Sequence, residues 1–189
     1  MKQIKLTVPN NWNDITIKQY QELIKILDSK KEEKQRIMEM VSLFCGISKK
    51  DLNNFAYGDV EKIGNILKKM TNEDPTDIKM TKHVKFKGHN YSVIPNMSEM
   101  TTGEFVDLES YCEDVTANLH KITGVLYRKQ TEKVNRWGRY KVEDYDPNPE
   151  KQELMLDFPM GYVLGVLNFF FHLGETLLIG SANYLEKLR

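Results

Sequence analysis

Phe158 to Ile179 reads FPMGYVLGVLNFFFHLGETLLI, and how this stretch is buried decides the fold. It is far more apolar than the rest of the chain. Only Asn168, His172 and Glu175 break it with clearly polar groups. A helix that is apolar nearly all round has to be buried in a core, in a partner or in lipid. The length is near the ~20 residues that a bilayer needs. However, Glu175 and His172 would then lie at depth, where a carboxylate costs about 2.5 to 3.5 kcal/mol. Gly161, Gly165, Gly174 and Gly180 lower helix propensity. Asp157 and Pro159, rather than a basic cluster, flank the start. The expectation is one or two buried helices, broken near Gly174, and no membrane span.

Working outward, 189 residues with 40% hydrophobic and 10% aromatic side chains suit one folded domain with a core. The 27 basic and 27 acidic residues cancel, so no general field draws the chain to nucleic acid or to an acidic membrane. Neutrality also removes repulsion between copies. Cys45 and Cys112 are the only cysteines, and Met1 to Val8 alternates charge and apolarity instead of forming a signal pattern. Both thiols therefore read as reduced, buried small hydrophobes.

Lys2 to Val8, with Ile4, Leu6 and Val8 on one face, reads as an amino-terminal strand. Thr16 and Gln19 form a capping-box pattern ahead of a helical face at Ile17, Tyr20, Leu23, Ile24 and Leu27. Ile37, Met40, Val41 and Phe44 give a second face, ended by Gly46. Ser48 and Asp51 cap a short helix with Leu52 and Phe55. Asp59 caps another with Ile63, Ile66, Leu67 and Met70 inward. Val84, Phe86, Tyr91 and Val93 flank Lys87-Gly88-His89-Asn90 as a β-hairpin, and the amino-terminal strand is expected to pair with it. Thr101 with Glu104 is a second capping box. Phe105, Leu108, Tyr111, Cys112, Val115 and Leu119 follow as a stripe expected to pack on Val163, Leu167 and Phe170. The predicted fold is α+β, predominantly helical, with a small antiparallel β-hairpin and an amino-terminal strand. Residues 1–189 read as a single domain. Within it, 1–71 form a helical lobe, 83–127 with 150–189 form the hairpin and helical core, and 128–149 form an exposed arm.

The arm differs in kind from its surroundings. It interleaves charges with Trp137, Tyr140 and Tyr145, and a structureless loop of that length is uncommon inside a compact domain. Arg128, Lys133, Arg136 and Arg139 precede Glu143, Asp144 and Asp146, so basic and acidic halves are segregated along it. Basic beside acidic suits a protein partner or a second copy better than a polyanion. Arg128, Arg136, Trp137, Arg139, Tyr140, Asp144 and Tyr145 are the candidate partner-binding residues.

Chemistry-bearing patterns are missing. There is no Gly-x-Ser-x-Gly, Cys-x-x-Cys or His-Glu-x-x-His, and Gly88, Gly103 and Gly138 stand alone, so no phosphate-cradling loop is formed. Asn168, His172 and Glu175 fall on one helical face and offer two metal ligands at most, so they read as a polar seam fixing packing register. No catalytic set, metal or cofactor is expected, and the chain is read as a non-enzyme.

Three segments carry a resemblance. They are VPNNWNDITIKQYQEL, then KFKGHNYSVIPNMSEMTTGEFVDLESYCED followed by LHKITGVLYRK, and finally the apolar helix through NFFFHL with Asn183-Tyr184. In this order the chain resembles small virion-morphogenesis proteins of tailed bacteriophages, of the tail or neck ring or tail-assembly chaperone type. The resemblance implies a non-enzymatic protein, assembled in the bacterial host cytoplasm and located in the virion. It would contact copies of itself and other virion proteins, most simply in a multi-copy ring at the portal, neck or tail. The alternatives are a tail-assembly chaperone that shields an apolar tail protein, and a host-cell adaptor module.

Overall fold

The structure, a computed structural model, describes residues 6–170 and 172. Its fold is α+β and predominantly helical. The amino-terminal lobe holds α1 (Ile17–Leu27), α2 (Glu33–Cys45), α3 (Lys49–Leu52) and α4 (Tyr57–Thr71). Helix α1 begins where Thr16 and Gln19 exchange both capping-box bonds, at 3.0 and 3.2 Å. Gly46 ends α2 at φ 66°, a left-handed conformation that glycine adopts without steric penalty. Helix α4 starts ahead of Asp59, at Tyr57. It approaches α2 closely because position 64 has no side chain: a Cβ there would lie 2.6 Å from Ile37 Cγ2.

The β element is larger than a hairpin. Strands β1 (His83–Phe86), β2 (His89–Val93), β3 (Tyr127–Glu132) and β4 (Lys141–Val142) form one antiparallel sheet in that order. Lys87 and Gly88, at φ 45° and 80°, make the two-residue turn whose twist matches the flanking strands. The partner expected from the amino terminus is instead β3, which pairs Tyr91 with Lys129 and Val93 with Tyr127. Leu6 to Val8 are irregular, and the rest of that expected strand lies outside the described residues.

Helices α5 (Thr102–Tyr111), α6 (Val115–Leu126) and α7 (Pro149–Leu154) follow the hairpin and β4. A further helix, α8, covers 160–170. The single stripe expected from Phe105 to Leu119 is corrected. Asp114 caps a new helix by accepting from Ala117 N–H, so the stripe breaks at Cys112–Asp114. Helix α6 buries Leu119, Ile122, Val125 and Leu126, whereas α5 is peripheral, with Phe105 58% exposed and Val106 53%. Leu108 and Val115 reach the core only partly. Cys112 is exposed rather than buried, and both thiols are free.

Phe158 is the centre of the core. Fully buried, it packs its ring 4.9 Å from Phe86, 5.1 Å from Tyr127, and 6.1 Å from both Tyr91 and Tyr162. Its carbonyl accepts from Ile17 N–H, and Met160 N–H donates to the Ile15 carbonyl, so a short bridge ties the helical lobe to the start of α8. As expected, α8 is buried along Val163, Leu164 and Val166. Gly165 lets it lie against the main chain of Lys79, since a Cβ there would sit 2.5 Å from the Lys79 carbonyl oxygen. Asn168 Nδ2 secures the same contact by donating to the Pro75 carbonyl at 2.6 Å. Glu175, expected in the polar seam, lies outside the described residues. Among the described residues no helix is long and apolar enough to cross a membrane.

Candidate assembly interface

The expected exposed arm is two different objects. Its root is part of the folded sheet, and three of the seven candidate residues face inward. Arg128 is 7% exposed. Its guanidinium meets the Glu104 carboxylate at 2.7 Å, donates from Nε to the Val125 carbonyl at 3.1 Å, and lies 5.5 Å from the Tyr145 ring centroid. Glu104 is itself buried, because its other oxygen accepts from Thr101 N–H to complete the second capping box. One carboxylate therefore closes a helix start and neutralises a buried cation.

Tyr145 donates to Asp107 Oδ2 at 2.8 Å, and Tyr140 donates to the Val93 carbonyl at 2.8 Å while its ring packs edge-on against His83. Burial pushes both phenols above their ordinary range, and for Tyr145 the bond to Asp107 adds to it. Arg128, Tyr140 and Tyr145 thus hold the hairpin in place through contacts within the chain. The cavity beside them, about 40 Å³ and lined by Tyr127, Arg128, Tyr145 and Met155, has room for about one or two water molecules.

The tip is the exposed object. Beyond the Glu132–Lys141 pairing, Gly138 N–H donates to the Asn135 carbonyl, and Asn135 N–H donates to the Arg139 carbonyl, both at 2.9 Å. Asn135 Oδ1 accepts from Trp137 N–H and Arg139 N–H at 2.9 and 3.0 Å. With Gly138 at φ 73°, this is a tight turn closed by a glycine bulge, the commonest three-residue hairpin geometry. Arg136 and Trp137 occupy its central positions. The Arg136 guanidinium stacks 4.3 Å from the Trp137 ring, which is 70% exposed. Asparagine at the first turn position and glycine at the fourth were the signal in the sequence for this turn. Gly138 alone, without Asn135 three positions before it, carries no such signal.

Charge is also redistributed. Glu143 and Asp146 pair with Lys151 on α7, and Glu132 pairs with Lys141, so most of the arm's acids are satisfied at its root. Lys133, Arg136, Arg139 and Asp144 form no ion pair among the described residues. The basic and acidic halves expected along the arm become a basic aromatic tip and one exposed carboxylate near the root.

Two of the surface grooves among the described residues lie beside exposed apolar side chains. One, about 570 Å³, opens in the helical lobe between Ile37 and Met38 of α2, Leu52 of α3, Phe55, and Tyr57 and Val60 of α4. The Glu33–Lys68 ion pair stands beside it. The other, about 500 Å³, runs beside the start of α5. No group of three or more His, Cys, Asp or Glu is placed to hold a metal among the described residues. The chain matches no protein-family model, no curated protein and no solved structure.

Proposed function

We propose that this chain is a non-enzymatic assembly protein of a tailed-bacteriophage particle, present in several copies and working through protein contacts in a ring at the portal, neck or tail. The observation that supports this reading is the tip. A largely exposed tryptophan is a liability unless something covers it. Here it is held on a turn locked by four hydrogen bonds, among three cations, Lys133, Arg136 and Arg139, that form no ion pair among the described residues. A pre-ordered aromatic and arginine pair loses little conformational freedom on docking, and such residues dominate interface energetics. The test is native mass spectrometry of the purified chain, together with protein analysis of purified particles. A discrete oligomer, and the chain retained in particles, is the expected result. A monomer at all accessible concentrations that is also missing from particles would overturn the reading.

A second reading is favoured by the helical-lobe groove. A tail-assembly chaperone needs an apolar trough for an apolar segment of its client, and Ile37, Met38 and Phe55 line such a trough. A chaperone leaves before completion, so its presence in assembly intermediates and loss from finished particles separates the two. Neighbouring genes for portal, capsid or tape-measure proteins would set both apart from a host-cell adaptor.

A further inference from the structure

We infer that the tip of the β3–β4 hairpin of one copy seats on the α5 face of the next copy. The inference rests on the assembly reading above and names the two surfaces of its self-contact. The receiving face is the groove beside α5, bounded by Thr101, Gly103, Val106, Asp144 and Pro147. Val106 is exposed in its wall and Phe105 stands exposed next to it, although large apolar side chains on a helix usually face the core. Glu109 lies one helical turn beyond Phe105 on the same side.

Charge identifies the occupant. From Gly88 to His120 the chain contains no lysine or arginine, while Glu99, Asp107, Glu109, Glu113 and Asp114 fall in that span. Cations on elements packed against α5 are already engaged: Arg128 with Glu104, Lys151 with Glu143 and Asp146, and Lys121 over the Tyr111 ring. The α5 face therefore combines exposed apolar side chains with uncompensated negative charge. The tip combines an exposed Trp137 with uncompensated positive charge from Lys133, Arg136 and Arg139. The two patches are complementary in both polarity and charge, and both belong to this chain.

The contact is between copies, not within one. Asp144 follows β4 at the root of the hairpin, where Glu143 N–H donates to the Lys129 carbonyl. The turn extends up to about 10 Å past the last paired residues in the opposite direction. Folding the tip back would break the Gln130–Val142 and Glu132–Lys141 pairs. Because the patches differ, the contact is head-to-tail. Such contacts close into a ring when the rotation permits, and otherwise extend as a filament. Trp137 covers Phe105 and Val106, while Arg136 and Arg139 face Glu109 and Asp144. The charges steer encounter and fix register, and the aromatic slows dissociation.

Charge exchange tests this directly. A tip variant, R136E with R139E, and a face variant, E109K with D144K, are each examined by sedimentation velocity at low salt. All four side chains are exposed, so melting curves should match the parent protein. Each variant alone should lose self-association by about tenfold or more. An equimolar mixture should recover it, since each reversed tip meets a reversed face. Parent-like association of either variant, a mixture that stays dissociated, or a parent protein that is itself monomeric would overturn the contact. So would a tip variant that keeps its self-association but loses binding to a short single-stranded DNA, which would assign the tip to a polyanion. Particle analysis keeps the two ideas apart. A chain monomeric in every mixture yet present in particles overturns the contact and leaves the assembly reading standing. A chain that associates through these faces but never enters particles does the reverse.

Discussion

Arg128 and Glu104 make an ion pair at 2.7 Å with side chains only 8% and 7% exposed, joining the start of α5 to β3. Removing one member strands the other charge out of water, which typically costs about 3–5 kcal/mol. Arg128→Met should therefore destabilise the fold by that order in urea denaturation. The double variant with Glu104→Gln should recover a substantial part, because no buried charge is then left alone. Equal destabilisation of the single and double variants would mean that packing, not charge, is what Arg128 supplies. Any loss of assembly in Arg128 variants is expected to follow from the fold.

Trp137→Ala should behave in the opposite way. The ring is 70% exposed, so the unfolding free energy should stay within about 0.5 kcal/mol of the parent. Self-association should weaken at least about tenfold, as for a central aromatic anchor. Mass photometry across a dilution series measures it, and an unchanged oligomer distribution would remove Trp137 from the interface.

Two phenylalanines separate core from surface. Phe158→Ala empties the centre of an aromatic cluster and should cost about 3–5 kcal/mol. Phe105→Ser, at a site 58% exposed, should change monomer stability by less than about 0.5 kcal/mol while reducing association. A large stability loss at Phe105 would show that α5 is packed inward in solution.

Gly165→Ala sets two effects against each other. Alanine favours a helix interior by up to about 1 kcal/mol over glycine. Here its Cβ would lie 2.5 Å from the Lys79 carbonyl oxygen, a backbone atom that cannot rotate away. Overpacking of that kind costs about 1–3 kcal/mol, so net destabilisation is expected in thermal melts.

Alkaline pH should unfold the chain. Burial, the largest cause for both, holds the Tyr127 and Tyr145 phenols well above the ordinary range. In the unfolded chain they ionise near pH 10. Because the folded state keeps these protons longer, the stability they contribute is complete below about pH 10 and falls as pH rises beyond it. The urea midpoint should be insensitive to these two groups between about pH 8 and pH 10 and decline above, with their tyrosinate absorbance appearing together with unfolding.

Periodicity and capping made much of this architecture legible. Thr16 and Gln19, Gly46, and Thr101 with Glu104 act locally, through bonds between residues a few positions apart, and each stands where the pattern put it. The β1–β2 hairpin was readable from alternation around Gly88 for the same reason. Strand β3 was not, because Tyr127-Arg128-Lys129-Gln130 is polar and its apolar alternation is short. It becomes a strand by pairing with β2, a long-range event. The burial of Arg128 is not legible in the sequence, because a charged residue is buried only when a partner is supplied, and Glu104 lies on another element. The exposure of Phe105 escaped for a related reason: Asp114 restarts the helix, and periodicity cannot say which of two consecutive helices the core receives. In the candidate site, Arg136, Trp137, Arg139 and Asp144 stand exposed, while Arg128, Tyr140 and Tyr145 turn inward to hydrogen bonds that spacing does not encode.

The bridge between Thr16 and Pro159 has a consequence for synthesis. It joins nearly opposite ends of the described chain, and Ile15 and Ile17 complete their main-chain bonding only on residues flanking Pro159. A ribosome adding about 5–20 residues per second takes on the order of ten seconds to travel between the two. During that interval the nascent helical lobe waits with Ile15 and Ile17 uncovered and no Phe158 to receive β1 and β2. Closure of so long a segment is slow and comes late, as in folds dominated by distant contacts. The molecule is therefore most open to capture by nascent-chain binders, or by a premature neighbour, just before α8 emerges.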